Sequence, residues 1–153
     1  MPDRVWIEGH IPHQGRMCLL HQVEAWDEQR IRCRARSHRD TDNPLRARGQ
    51  LGAVCGIEYA AQAIAVHGAL LAPPGRKRAQ TGYLVSVRGT QLRVARLDDI
   101  ADDLLVEAAC ITRDTNHVLY QFGVSAGGDL LLQGRAAVVL DANPVTATTG
   151  SAP

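Results

Sequence analysis

Glu58 and Gln62 stand four residues apart in Gly56-Ile57-Glu58-Tyr59-Ala60-Ala61-Gln62-Ala63-Ile64-Ala65, a run whose other members are mostly small or apolar. In a helix, residues i and i+4 share a face, so this carboxylate and amide project to the same side one turn apart. An isolated ionised carboxylate is costly to bury and escapes by raising its pKa or acquiring a partner. A carboxyl group with a tunable pKa is what general acid–base chemistry uses. A helix start also favours an acid through its dipole and free amides. Glu58 therefore has two readings, a proton donor or a helix-terminal charge.

The helix that carries this pair runs from about Gly52 to Leu71 and stops before Pro73-Pro74-Gly75. Gly52, Ala53, Gly56, Ala60, Ala61, Ala63, Ala65, Gly68 and Ala69 leave it thin enough to approach a sheet closely. Strands flank it on both sides. Cys18 to Trp26 reads as one, ending at the turn pair Asp27-Glu28. Ile31, Cys33 and Ala35 alternate with Arg30, Arg32, Arg34 and Arg36, the period-two mark of a half-exposed strand with a basic face. These two runs predict a hairpin.

Asp40-Thr41-Asp42-Asn43-Pro44 is loop by composition, and Arg46 to Gly52 leads irregularly into the helix. Beyond the helix, Gly82 to Arg88 and Gln91 to Leu97 read as strands, and polar Asp98 to Asp103 separates them from the remainder of the chain. Leu104 to Thr112, His117 to Ser125 and Leu130 to Leu140 read as three more, joined by turn-forming Arg113-Asp114-Thr115-Asn116 and Ala126-Gly127-Gly128-Asp129. Strands, one long apolar helix and a meander of strands imply an α+β domain, an antiparallel sheet wrapped around a central helix.

The chain has 153 residues, one domain's length, enough to bury a core without disulfides or metals. The domain is expected over residues 1–141, and the small, polar, proline-bearing tail 142–153 reads as disordered. With 17 Lys and Arg against 16 Asp and Glu, the charge balance argues against a nucleic-acid protein defined by its overall field. Cys18, Cys33, Cys55 and Cys110 are widely spaced, with neither Cys-x-x-Cys nor Cys/His metal spacing, so no metal is expected. The N-terminus lacks a signal peptide's apolar stretch and no run approaches membrane-spanning length, which predicts a cytoplasmic protein with free thiols.

Ile11-Pro12-His13-Gln14-Gly15-Arg16-Met17-Cys18-Leu19-Leu20, followed about forty residues later by Glu58-x-x-x-Gln62, resembles the hotdog-fold 3-hydroxyacyl-acyl-carrier-protein dehydratases from about Ile11 to Leu140. The Pro-His opening, Gly-Ile-Glu-Tyr-x-Ala-Gln and the later Gly-Tyr-Leu strand are similar to the small dehydratases of aryl-polyene and related pigment pathways. The resemblance implies side-by-side subunit pairing, at least a homodimer, with acyl tunnels at the interface. It also implies elimination of water from a 3-hydroxyacyl thioester, with a histidine base at the α-carbon and a carboxylic acid at the departing hydroxyl.

Glu58 matches the family's acid. The family's usual histidine lies in a Gly-His-Phe-Pro-Gly segment before the helix, and here Leu45 to Gly52 holds no histidine. His13 is the substitute base, since imidazole as a side-chain type suits proton abstraction near neutrality; its other reading is a turn residue ordering the N-terminal segment. A thioester carbonyl needs a hydrogen-bond donor, which the backbone amides of Cys55 and Gly56 would supply at the helix start, although Gly56 also suits close packing. Gln62 is the further substrate-binding candidate.

Arg46, Arg48, Arg76, Lys77 and Arg78 are candidates to meet the acidic surface and phosphopantetheine phosphate of an acyl carrier protein, or are simply solvated. No cofactor is expected beyond the carrier's pantetheine arm. The missing histidine segment also fits a non-catalytic subunit that pairs as a heterodimer with a complete hotdog dehydratase, and the fold equally hosts acyl thioesterases.

Overall fold

The computed structural model describes residues 1–72 and 82–140. The elements are α1 (Arg4–His10), β1 (Gln22–Trp26), β2 (Arg30–Ala35), α2 (Gly56–Leu71), β3 (Gly82–Leu92), β4 (Leu104–Arg113), β5 (His117–Ala126) and β6 (Asp129–Leu140). Short 3₁₀ turns lie at Gly15–Met17, Ser37–Arg39 and Ala53–Cys55. The six strands form one antiparallel sheet in the order β1-β2-β4-β5-β6-β3, and α2 packs on β2, β4 and β5. This is the hotdog arrangement.

Alternation drives the sheet. Ile31, Cys33 and Ala35 of β2 are buried, while Arg30 and Arg32, which alternate with them, face solvent. The β1–β2 hairpin forms as expected, its turn fixed by the Asp27 carboxylate, which accepts from the Gln29 and Arg30 amides, each at 2.8 Å. The β5–β6 hairpin turns on Gly127 and Gly128, with φ of 58° and 87°, a backbone region that favours glycine.

The small residues of α2 seat it against the sheet. A methyl group added at Gly56 would lie 2.6 Å from Leu132 Cδ2, and Ala60 and Ala63 are buried against the core. Tyr59, Val66 and His67 complete the inward face. The expectation that no run reaches membrane-spanning length fails for Ala53–Leu71, whose 19 residues suffice by length and composition. In this fold the run is the core helix, apolar because it faces the sheet.

Two further expectations need correction. The strand expected over Cys18–Trp26 begins only at Gln22, since the backbone at Met17 and Leu19 is held by Gln62 of α2 instead. Gln91–Leu97 is not a separate strand. β3 continues to Leu92 through an irregularity at Gly89, φ 62°, and the next residues bond singly, Arg93 to Leu131 at 2.8 Å, Ala95 to Ala53 at 3.0 Å and Leu97 to Leu51 at 2.8 Å. The helix α1 was not anticipated; Asp3 caps it by accepting from the Trp6 amide at 3.0 Å, and Ile7 anchors it in the core. The tail 142–153 lies outside the described residues.

Candidate active site

His13 Nε2 lies 3.3 Å from Glu58 Oε2, and the two side chains are 26% and 37% exposed. The pair is therefore open enough for a ligand to reach, yet each partner comes from a fixed element. Glu58 stands in the first turn of α2. His13 is set by a turn that α1 shapes: Gln14 Nε2 donates to the Glu8 carbonyl at 2.6 Å, the Gly15 amide donates to the Glu8 carboxylate at 2.9 Å, and Arg4 Nη2 donates to the Gly15 carbonyl at 2.8 Å. Gly15 has φ 58°, and buried Ile11 anchors the other side of the turn. His13 Nδ1 is buried and has no hydrogen-bond partner among the described residues.

Gln62 shares the face of Glu58, as its spacing requires, but it faces protein backbone. It is fully buried; its Oε1 accepts from the Leu19 amide at 2.9 Å and its Nε2 donates to the Met17 carbonyl at 2.7 Å. Both ends of the amide are occupied, so the expected substrate contact gives way to a grip on the segment that follows His13. Leu19 is held from its other side too, because Ser37 Oγ donates to the Leu19 carbonyl at 2.8 Å. Ser37 also meets the Tyr59 hydroxyl at 2.8 Å, and Asn43 donates to that hydroxyl at 3.1 Å and to the Ser37 carbonyl at 2.8 Å. Burial raises the Tyr59 pKa, so the phenol stays protonated and serves as a structural hub.

The amides expected to receive a thioester carbonyl are already engaged. The Cys55 N–H donates to Gly52 O at 3.0 Å, and the Gly56 N–H turns to the Ala53 and Val54 carbonyls within the 3₁₀ lead-in to α2. Gly56 is a packing residue against Leu132. Burial, reinforced by the charge of Glu58, raises the Cys55 thiol pKa, which keeps it from acting as a thiolate near neutrality.

Arg46 is likewise committed: its guanidinium donates to Asp40 O at 2.8 Å, Gly49 O at 3.0 Å and Arg39 O at 3.2 Å, bracing its own loop instead of offering charge to a partner. Arg48 is exposed in that loop with φ 55°. Arg76, Lys77 and Arg78 lie outside the described residues. Among the described residues no group of three or more His, Cys, Asp or Glu side chains could hold a metal ion.

Sequence reasoning missed Ser37, Asn43 and the α1 residues Arg4 and Glu8. Their contacts with the His13–Leu19 segment and its supports cross from 6 to 18 positions of chain and leave no periodic signal.

The 3.3 Å contact sets an imidazole and a carboxyl side by side, the two side-chain types that general acid–base chemistry uses.

A family model described as ApeP-like, ApeP dehydratase, matches residues 5–148. No curated protein sequence matches the chain. Among solved structures, the dehydratase heterocomplex ApeI:P from Xenorhabdus doucetiae is similar at TM-score 0.80 and 21% identity, over 96% of this chain and 97% of that one. Zebrafish thioesterase superfamily member 2 is similar at TM-score 0.63 and 14% identity, over 90% and 94% of the two chains. A thioesterase from Pseudomonas aeruginosa is similar at TM-score 0.53 and 15% identity, over 78% and 81%. At these identities the likeness is one of fold, the sheet curved around a single helix.

Proposed function

The chain belongs to the ApeP-like dehydratase family, and from that premise we propose that it removes water from a 3-hydroxyacyl thioester carried on an acyl carrier protein, giving the 2-enoyl thioester. The observation that carries this reading is the 3.3 Å contact between His13 Nε2 and Glu58 Oε2. His13 takes a proton from the carbon next to the thioester carbonyl while Glu58 protonates the hydroxyl on the following carbon. The C–O bond breaks, the double bond forms and water leaves. The base ends protonated and the acid ionised, and one proton passed back from Nε2 to Oε2 restores both. The reaction is redox-neutral and uses no cofactor beyond the pantetheine arm that presents the substrate.

A second reading follows from His13 Nδ1. When Nε2 is bare, Nδ1 must carry the ring proton, and this buried N–H finds no acceptor among the described residues. An acceptor supplied by a paired subunit would make the chain active only as part of a dimer, with a second copy or with another hotdog dehydratase. The ApeI:P heterocomplex, similar in fold, supports the latter arrangement.

Mass spectrometry of a 3-hydroxyacyl carrier protein incubated with the chain tests both readings. Loss of one water with the chain alone, abolished in His13→Ala and Glu58→Gln, supports the self-sufficient enzyme. Loss only when a second hotdog subunit is added supports the partner role. Release of the free acid from the carrier instead would mean that Glu58 activates water for thioester hydrolysis.

A further inference from the structure

A cavity of ≈ 310 Å³ is lined by Arg4, His21, Arg36, Arg39 and Asp40, with Leu19 and Ser37 also in its wall. Its cations are not equivalent. Arg39 is neutralised by Asp103, with Nη2 2.6 Å from Oδ1, and Arg4 is partly neutralised by Glu8 at 4.0 Å. Arg36 has no carboxylate within ion-pair distance among the described residues, and its Nη2 instead lies 2.7 Å from His21 Nε2. Arg36 is thus the guanidinium in this concave wall that no carboxylate among the described residues neutralises, with the exposed Asp40 also in the lining, and a guanidinium fork matches the geometry of phosphate oxygens.

The cavity and the His13–Glu58 pair flank one segment. Arg4 in its wall donates to the Gly15 carbonyl, two residues beyond His13, and Leu19 in its wall is the residue whose amide Gln62 holds one turn beyond Glu58. Six residues of chain span at most about 20 Å, so an elongated molecule bound across this segment can occupy both places.

We infer that the cavity is a phosphate subsite, with Arg36 as its principal cation, that receives the phosphodiester of the arm bearing the acyl group while the thioester end lies at His13 and Glu58. This rests on the carrier-bound substrate proposed above. Burial, followed by the charge of Arg36, lowers the His21 pKa, so near neutrality its imidazole accepts from the Arg36 guanidinium and does not repel it. The basic site thus falls on Arg36 and its neighbours and not on Arg46, whose guanidinium is engaged by its own loop.

Titration of the Glu58→Gln protein, which cannot turn substrate over under the proposed mechanism, separates this inference from the catalytic one. The probes are 4′-phosphopantetheine, pantetheine without the phosphate, and inorganic phosphate, followed by calorimetry. The phosphorylated arm is expected to bind about tenfold or more tighter than the unphosphorylated one. That ratio should fall towards one in Arg36→Ala and recover in part in Arg36→Lys, whose point charge cannot form the bidentate fork. Arg36 is exposed, so an unchanged melting temperature would verify that the Ala variant is folded. Equal affinity for the two arms, or a ratio that survives Arg36→Ala, overturns the subsite. So does Arg36-dependent binding of inorganic phosphate with no preference for the phosphorylated arm, which would make the cavity a site for free phosphate. None of these outcomes bears on whether His13 and Glu58 eliminate water.

Discussion

Gln62 holds Leu19 across 43 positions of sequence, accepting its amide N–H at 2.9 Å while donating to the Met17 carbonyl at 2.7 Å. The helix face that presents Glu58 therefore also fixes the segment that presents His13, and one helical turn sets both halves of the pair. Replacing Gln62 by Leu fills the same space but leaves a buried N–H and a carbonyl unpaired. The expected loss is about 1–3 kcal/mol of stability, measured by urea unfolding, with a fall in kcat at temperatures where the variant is fully folded. A Leu variant as stable and as active as the parent would show that the His13 segment holds its place without this grip.

In the proposed elimination His13 and Glu58 exchange one proton and act on one substrate, so their contributions should not add. Each single substitution, His13→Ala or Glu58→Gln, is expected to lower kcat by about 10²–10⁴ with a smaller change in KM. The double variant should be little slower than the worse single one. Single-turnover rates of all three check this; effects that multiply would mean that the two side chains work in separate steps.

Much of this arrangement is legible in the residues. The alternation of Ile31, Cys33 and Ala35 marks β2, the small residues from Gly52 to Ala69 mark a helix made for close approach, and the Glu58–Gln62 spacing marks the face that carries the candidate site. The roles on that face are harder to read, because they depend on partners distant in sequence. Gln62 has the composition of a ligand contact and became a clamp only when Met17 and Leu19 folded across it. The charge of an arginine is legible but its neutralisation is not: Arg39 meets Asp103 across 64 positions, whereas Arg36, three residues earlier, meets no carboxylate among the described residues. The short helix α1 buries only Ile7 among its residues, too little for a periodic signal, and Asp3 at its cap is the one local mark it leaves.

Far from the pair, His67 is buried near the C-terminal end of α2, with Nε2 donating to the Asp27 carbonyl at 2.8 Å and Nδ1 accepting from the Tyr120 hydroxyl at 2.7 Å. Arg113, which reaches the same hydroxyl, and Asp27 are the charges that face it. Burial, with Arg113 adding to it, pushes the His67 pKa below its ordinary value of 6.5, and burial does the same to His38. Below 6.5 the unfolded chain therefore holds protons that the folded chain refuses, and stability is lost as the pH falls from that value towards the folded pKa. Urea midpoints are expected to drop between about pH 7.5 and about pH 5.5. His67→Gln, which keeps a donor and an acceptor but cannot titrate, should have a shallower drop, leaving the shares of His38 and His21. An unchanged slope would place the acid sensitivity elsewhere.

Gly56 tests how tightly the start of α2 must sit. A methyl group there would lie 2.6 Å from Leu132 Cδ2 and 2.9 Å from Cδ1, closer than carbon atoms approach, and Leu132 is fully buried in β6 between Leu92 of β3 and Val124 of β5. Gly56→Ala gains up to about 1 kcal/mol of helix propensity but forces either the leucine or the helix to move, at a cost of about 1–3 kcal/mol. The expected net effect is a lower melting temperature. Because Glu58 follows two residues later in the same turn, a helix displaced from the sheet would also carry the carboxylate away from His13, and kcat should fall with stability. Leu132→Val removes a methylene where the new methyl group lands, so the double variant should recover part of both losses and show coupling in a double-mutant cycle. If Gly56→Ala is neutral in stability and in rate, Leu132 swings aside freely, and close packing against the sheet is not what holds Glu58 at its distance from His13.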